Sequence, residues 1–579
     1  MKKLFAILLL VNTSLTWAGA PFLTVGADND NACDYHTIQG AINSGISNTI
    51  RIASNKSYFE SLEISTSNQN QGNEHLIGGY ADCTQAGLNI TDLSQAIVTG
   101  NGTDPVLEIS HTNGMNYDVK VQNMILANGN SGIYVTAQNS SVTKTHLVNV
   151  KSLNNSYGMH IFSFNSGVPV VHVEDSLIGF NEQGVYCSGS GAEFRMGGNS
   201  VVENNQALSH GAGLALYNGC EGNIYSPTVI KNNETDNSGG GIYVTNSTLN
   251  VIGAGPFCED GICMGDLSSP VVIDNNVADA DDNNLGSGGG IYIGSTSNAT
   301  IINAHIKDNQ GRQGGGMYVS SGSTVTAVGY ESPATPCWAT GACLQFEGNS
   351  SVWGGAVYAV NENTDVTIAA AKFTGQSGSA GVVAHVRNDA TLEIKDSLLF
   401  NNGLGGQGDH SDEELLDIYD GNMSLVTTLT VDGVTIADNH LTGQVVENLN
   451  GQLNVYSSLI FDEQDVYLAS GNNSPQNHFE CVIAHENSSF TAGGTVSVVD
   501  RQLQPVFVNP QGGNYHLRVD SPAIDYCYDA SGNASTDIDY DTRGVDNPEV
   551  DNIHGPYDLG ADEFNIANDI IFKHGFEQD

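Results

Sequence analysis

Short stretches in which apolar residues occupy every second position recur through the middle of the chain, most of them opened by glycine. They read Gly132-Ile133-Tyr134-Val135, Gly158-Met159-His160-Ile161, Gly184-Val185-Tyr186-Cys187, Gly213-Leu214-Ala215-Leu216, Gly241-Ile242-Tyr243-Val244, Gly290-Ile291-Tyr292-Ile293 and Gly316-Met317-Tyr318-Val319, then Ala356-Val357-Tyr358-Ala359. Their first positions lie 26, 26, 29, 28, 49, 26 and 40 residues apart. A unit near 26 predicts that the 49-residue interval spans two units, and that the 40-residue interval carries an insertion. A second signature runs in phase, an apolar residue followed three positions later by asparagine: Ile178/Asn181, Val202/Asn205, Ile230/Asn233, Ile273/Asn276, Ile306/Asn309, Phe346/Asn349 and Ile436/Asn439.

Period-two alternation is the mark of a strand. Asparagine after it marks a turn, because it tolerates left-handed backbone angles and bonds along a stack of equivalent asparagines. Glycine-rich turns at 239–241 and 314–316 follow, and alternating segments at 324–328, 363–368 and 391–394 complete the unit. Three short strands and three turns per unit describe one coil of a parallel β-helix. Helical repeats of similar length would show a 3.6 period and few glycines, and this chain has 68. The 579 residues therefore read as one long solenoid. About sixteen coils spaced roughly 4.8 Å apart would form a rod about 75 Å long.

The ends differ from the repeat. Lys2 and Lys3 precede an apolar run at 4–11, which predicts a secretory signal peptide at 1–18, cut after Ala18. No later stretch approaches the roughly 18 apolar residues that cross a bilayer as a helix. Tyr35, Ile38, Ala41 and Ile42 share one helical face behind Asp34 as N-cap. That predicts an amphipathic helix capping the first coil, weakened by about 1 kcal/mol at Gly40. The expected layout is a cap with first coils at 21–84, the solenoid at 85–510, a closing module at 511–565 and a tail at 566–579.

Charge narrows the partners. Against 64 Asp and Glu stand 18 Lys and Arg, a net charge of −46. Nucleic acid is excluded as a partner, since phosphate binding needs clustered cations. Acidic polysaccharides could dock only through a bridging cation, and solubility is the stronger reading of the charge than calcium recruitment. Ten cysteines in an exported chain imply disulfides. Cys258 with Cys263 and Cys337 with Cys343 bracket short loops, and elimination leaves Cys33 with Cys83, Cys187 with Cys220 and Cys481 with Cys527. Zinc-type Cys spacing with nearby histidines is missing.

The segment 34–43, followed by Asn48-Thr49-Ile50-Arg51-Ile52-Ala53 and Leu76-Ile77-Gly78-Gly79-Tyr80-Ala81-Asp82-Cys83, resembles the start of bacterial β-helix proteins of the pectate-lyase-like superfamily. Coils such as Gly239-Gly240-Gly241-Ile242-Tyr243-Val244 resemble those of polymorphic outer-membrane proteins. Residues 514–525 and 557–564 resemble the closing module of choice-of-anchor β-helix proteins. These resemblances imply an all-β fold, a right-handed single-stranded parallel β-helix with an N-terminal helix cap, on a secreted or cell-surface protein. The residues that end this sequence predict no terminal β-barrel of the kind the outer-membrane group carries. Its ending, Phe572-Lys573-His574-Gly575-Phe576-Glu577, looks like short endings of exported proteobacterial proteins and reads as a sorting tag or a frayed terminus.

Chemistry is harder to find. Lyases on this fold need a basic residue beside an acidic, calcium-binding groove, and Arg195, Lys231, Lys307, Arg312, Lys372 and Arg387 are scattered. Fragments similar to polygalacturonase motifs, Ser209-His210-Gly211, Asp281-Asp282 and Asn363-Thr364-Asp365, occur in reversed order, as chance produces in an Asn/Asp/Gly-rich chain. Asp537, Asp539 and Asp541 alternate before Gly544 as a calcium loop would, or as a solvated turn with Arg543 paired to one Asp. The acidic stretch 409–414 reads as an exposed loop or a lid. Of the tryptophans in the body, Trp338 and Trp353 remain, while tyrosine recurs in the tetrads, either as a sugar-stacking strip or as packing inside the coil or along a lateral seam. The expected function is adhesion or extracellular glycan binding without catalysis. The alternative is a polysaccharide lyase or glycoside hydrolase, and a passive stalk is a third reading. Carboxylates and a basic residue gathered in one groove would favour the enzyme, and a polar face with aromatic residues would favour binding.

Overall fold

The computed structural model describes residues 22–564 apart from 66–72, 93, 254–256, 260–261, 265–268, 282, 284, 330–343, 404–413, 422–425, 463–475, 486–494, 502, 531–535 and 540, and apart from the side chains at 257–259 and 262–264. The predicted leader, tail, Cys337, Cys343, Trp338 and Asp282 lie outside the described residues, as does the stretch 409–413. The fold is an all-β parallel β-helix. A 13-stranded sheet runs from Leu62–Ser65 to Val446–Leu449, and a larger sheet of 28 strands forms the rest of the wall. All pairings within both are parallel, each strand meeting its equivalent one coil on. At about 4.8 Å per rung, the smaller sheet alone is roughly 60 Å tall.

The tetrads form strands of this smaller sheet. Their second and fourth residues, such as Ile242, Val244, Ile291, Ile293, Met317 and Val319, are buried in one continuous apolar column. Their third residues point outward: Tyr243 aligns with Tyr292, Tyr318 and Tyr358 on successive strands, outside the core. The tyrosines are therefore a lateral seam, not interior packing. Inside, Phe346 stacks on Phe373 with centroids 4.8 Å apart.

One spacing is corrected. Ile242–Thr245 pairs directly with Ile291–Gly294, so the 49-residue interval is one coil with an insertion and not two units. The insertion carries an antiparallel hairpin, Phe257–Glu259 with Ile262–Met264, that sets Cys258 opposite Cys263. The structure joins Cys33 to Cys83, Cys187 to Cys220 and Cys481 to Cys527.

The turn after the larger sheet divides between neighbouring residues the two roles expected of one asparagine. The ladder asparagines 181, 205, 233, 276, 309 and 349 are buried, and each Nδ2 bonds a side-chain oxygen one coil on at 2.8–3.2 Å. The residue before each one takes the left-handed conformation: Asn204, Asn232, Asn275 and Asp308 have φ between 50° and 55°. The tetrad glycines are needed for a different reason. A Cβ on Gly241 would stand 2.6 Å from the Gly290 carbonyl oxygen and 3.0 Å from Asn276 Nδ2, so at this rung glycine lets the strand pass the ladder without displacing it.

The N-terminal helix is Ile38–Ser44, with Ile38, Ala41 and Ile42 buried and Tyr35 packed on the core. Its N-cap is Thr37, whose hydroxyl accepts from Gly40 N–H. Asp34 is not the cap, because its carboxylate already accepts from the Thr24 N–H (2.8 Å) and hydroxyl (2.9 Å). Among the described residues no helix is long and apolar enough to cross a membrane. Beyond the last coils the chain turns back. The described residues of 507–564 lie against the flank of the solenoid, where Tyr515 donates to Asp438 (2.7 Å), Ala561 N–H to Thr435 Oγ1 (2.9 Å) and Gly560 N–H to the Ser457 carbonyl (2.8 Å).

Candidate functional site

The column of left-handed residues runs along one corner of the solenoid, outside the buried ladder. In register it comprises Asn128, Asn154, Phe180, Asn204, Asn232, Asn275, Asp308, Gly348, Gly375, Asn401 and Asp438. Asparagine, aspartate and glycine suit that conformation. Phe180 does not: it holds φ 58° with a bulky ring that is 54% exposed. Holding a non-glycine residue there costs roughly 1–2 kcal/mol, and with more than half of Phe180 left in water, burial offsets that cost only in part. The ring lines a groove of about 530 Å³ with Asn128, Asn154, Ser156, Glu182 and Gln206. One aromatic face ringed by amides, a hydroxyl and a carboxylate is a surface suited to a polyhydroxylated ligand. The sequence signature that singled out Asn181 contained Phe180 as its neighbour, but nothing in the pattern marked that position as left-handed.

The outward tyrosines form a second feature, a stack running from Tyr217 through Tyr243, Tyr292, Tyr318 and Tyr358 to His385. Centroids from Tyr243 to His385 are 4.7–5.3 Å apart with planes within 12°. Each ring covers its neighbour's face, so these rings present edges and no free platform to a sugar. Burial pushes the Tyr243 phenol up to about 12, and near the start of the seam it pulls the His160 imidazole down to about 4.

At the far end of the stack the chemistry changes. His385 is followed in register by Asp417 and Glu447, and Glu414 joins them from the preceding turn. Donor atoms of Glu414, Asp417 and Glu447 lie within 4.8 Å of one another, and the His385 ring contacts the Asp417 carboxylate. Glu414, expected in an exposed loop, is buried. Beside them a cleft of about 470 Å³ is lined by Asn361, Glu362, Arg387, Asn388, Asp389 and Tyr419, with Arg387 over the Tyr419 ring at 4.6 Å.

The remaining basic residues are tied up in place. Arg195 pairs with Glu193, Lys231 with Glu203 (3.3 Å) and Lys307 with Asp274 (3.4 Å), while Arg312 lies over Trp353 at 5.1 Å. Lys372 is pulled down to about 8 by burial, countered by Asp539. The polygalacturonase-like fragments sit on different parts of the coil: His210 stacks on Tyr243 at 4.7 Å, and Asp365 opens a strand of the larger sheet.

Of the alternating aspartates only Asp537 folds into the C-terminal module's interior, while Asp539 and Asp541 are half-buried. Asp537 is buried and organises backbone: its Oδ1 accepts from Asp539 N–H (2.9 Å) and Asp541 N–H (2.8 Å), its Oδ2 from Glu563 N–H (2.9 Å). Arg543 makes its ion pair not with the aspartates of this loop but with Asp396 of the solenoid at 2.9 Å, and donates to the Thr536 carbonyl at the loop's base. Asp539 instead meets His516 at 2.5 Å, with Asp562 nearby. Burial first, then the neighbouring Asp562 and Asp539, raises the Asp537 carboxyl well above the ordinary carboxylate range. No protein-family model matches the sequence, and no curated protein is similar to it at a significant level.

Proposed function

We propose that this chain is a non-catalytic, secreted or cell-surface solenoid that binds neutral glycans, with Phe180 as the stacking residue of its binding groove. The single observation that carries the reading is Phe180 itself, an exposed aromatic ring in a corner column otherwise made of Asn, Asp and Gly. A strained residue that keeps more than half of an aromatic ring in water is a reason to look for a ligand there. Polar groups on both sides suit sugar hydroxyls, and with Glu182 and no Lys or Arg among the described residues that line the groove, a uronate would be repelled. The three disulfides suit an oxidising compartment.

A second reading, hydrolysis or lyase chemistry, is favoured by the carboxylates beside His385 and Arg387. Against it, the Asp417 and His385 side chains are only 6% and 5% exposed, too enclosed to meet a polymer. The test is retention of purified protein on immobilised neutral and acidic polysaccharides, with soluble products assayed in parallel. The expected result is retention on a neutral glycan, no product, and loss of retention in Phe180→Asn. That variant restores the residue type of the column, so its melting temperature should be equal to or above wild type. Product release, or full retention by Phe180→Asn, would overturn the proposal.

A further inference from the structure

We propose that Glu414, Asp417 and Glu447 hold a divalent cation of calcium size at the end of the tyrosine stack. Calcium takes oxygen ligands at 2.3–2.6 Å, so oxygens on opposite sides of the ion stand roughly 4.6–5.2 Å apart. Three carboxylates whose donor atoms all lie within 4.8 Å of one another fit around such an ion. The donors are all hard oxygens, which selects calcium over softer metals.

A second observation points to the same place. The Asp417 side chain is more than nine-tenths buried, and its Oδ1 has no hydrogen-bond partner among the described residues. The His385 ring against it is equally enclosed, its Nδ1 in contact with the other Asp417 oxygen, which leaves Oδ1 for a further ligand. A buried carboxylate oxygen without a partner is costly, and a bound cation supplies the partner. The register strengthens the case. Positions that hold Tyr292, Tyr318 and Tyr358 on earlier rungs hold His385, Asp417 and Glu447 here. Like charges on adjacent strands destabilise a sheet, so a cation held among two acids of one stack and a third beside them relieves their repulsion, on the side of Asp417 away from its His385 contact. The site stands apart from the Phe180 groove and does not depend on its ligand.

Terbium tests this directly, because it takes calcium sites and Tyr358 lies one stacked ring away from the acids. The full chain, treated with chelator and then titrated with Tb3+ under tyrosine excitation, should show saturable emission that Ca2+ displaces. Asp417→Asn and Glu447→Gln should each weaken terbium binding by about tenfold or more, while Phe180→Asn leaves it unchanged. Circular dichroism confirms that the variants keep their strands. Absent emission in the folded wild type, emission that both variants retain, or displacement by Zn2+ but not Ca2+ would overturn the proposal. Wild-type melting temperature, higher in Ca2+ than in chelator, is the independent check.

Discussion

Each ladder asparagine satisfies four groups. Asn233 Oδ1 accepts from the Asn205 backbone N–H (3.2 Å) and Nδ2 (2.8 Å), while its own Nδ2 reaches the Val202 carbonyl (3.1 Å) and Asn276 Oδ1 (2.9 Å). Removing it strands buried donors and acceptors, at about 1–3 kcal/mol for each group left unmade. Asn233→Ala should therefore lower the melting temperature and raise hydrogen exchange in the flanking coils. Its neighbour Asn232, left-handed at φ 53°, is the contrast. Asn232→Gly keeps the conformation, loses one exposed bond from Asn275 and should shift the melting temperature little, as a thermal scan of both variants would show. Doublets such as Asn204-Asn205, Asn232-Asn233 and Asn275-Asn276 carried both roles in plain view, but only geometry separates the buried partner from the turning one. The tyrosine positions were legible and their direction was not. Alternation reports that successive side chains face opposite ways, and with both sets partly apolar it does not say which faces in.

Between elements, the C-terminal module is held to the solenoid by polar groups drawn from far along the chain. Arg543 is enclosed, bonds Asp396 (2.9 Å) and the Gly560 carbonyl (2.6 Å), and so bridges module and coil. Replacing it with an apolar residue would leave Asp396 buried without its cation. The carboxylates behind it are protonation-sensitive: burial raises Asp562 to about 6, with Asp539 adding to the rise and His516 opposing it. A carboxyl whose folded value lies above its ordinary 3.8 holds its proton more tightly when folded. Its contribution to stability is whole below about pH 4 and is lost as pH rises through about 6. Asp562→Asn keeps an acceptor for the Leu517 N–H and removes the titration. The drop in melting temperature from pH 4 to pH 7 should be smaller in this variant than in wild type. An equal drop would assign the effect to other groups. None of this docking was readable in advance, because the Tyr515–Asp438 and Arg543–Asp396 contacts span 77 and 147 residues and follow no period. The doubled 49-residue interval misled for a related reason. An insertion and an extra coil add similar lengths, and only strand register tells them apart.

On the scale of the whole molecule, the repeat that made the fold legible also sets how it responds to solvent. Each coil contacts its neighbours and little else, so stability accumulates rung by rung and local weakening is not shared across a compact core. Onto that rod falls a net charge of −46, with Lys231 and Lys307 already paired to neighbouring acids. The acids that the coils carry sit on stacked rungs about 4.8 Å apart, well within the Debye length of about 30 Å at 0.01 M salt. Self-repulsion at low salt therefore opposes the stacked state, and salt relieves it. Melting temperature should rise steadily as NaCl increases from about 0.01 M towards 1 M, where the Debye length falls to about 3 Å. Chelator present throughout keeps divalent cations from contributing, so the rise belongs to screening. A flat or falling curve would mean that the surface carries its charge without strain, and that acidity serves solubility at no cost to the coil.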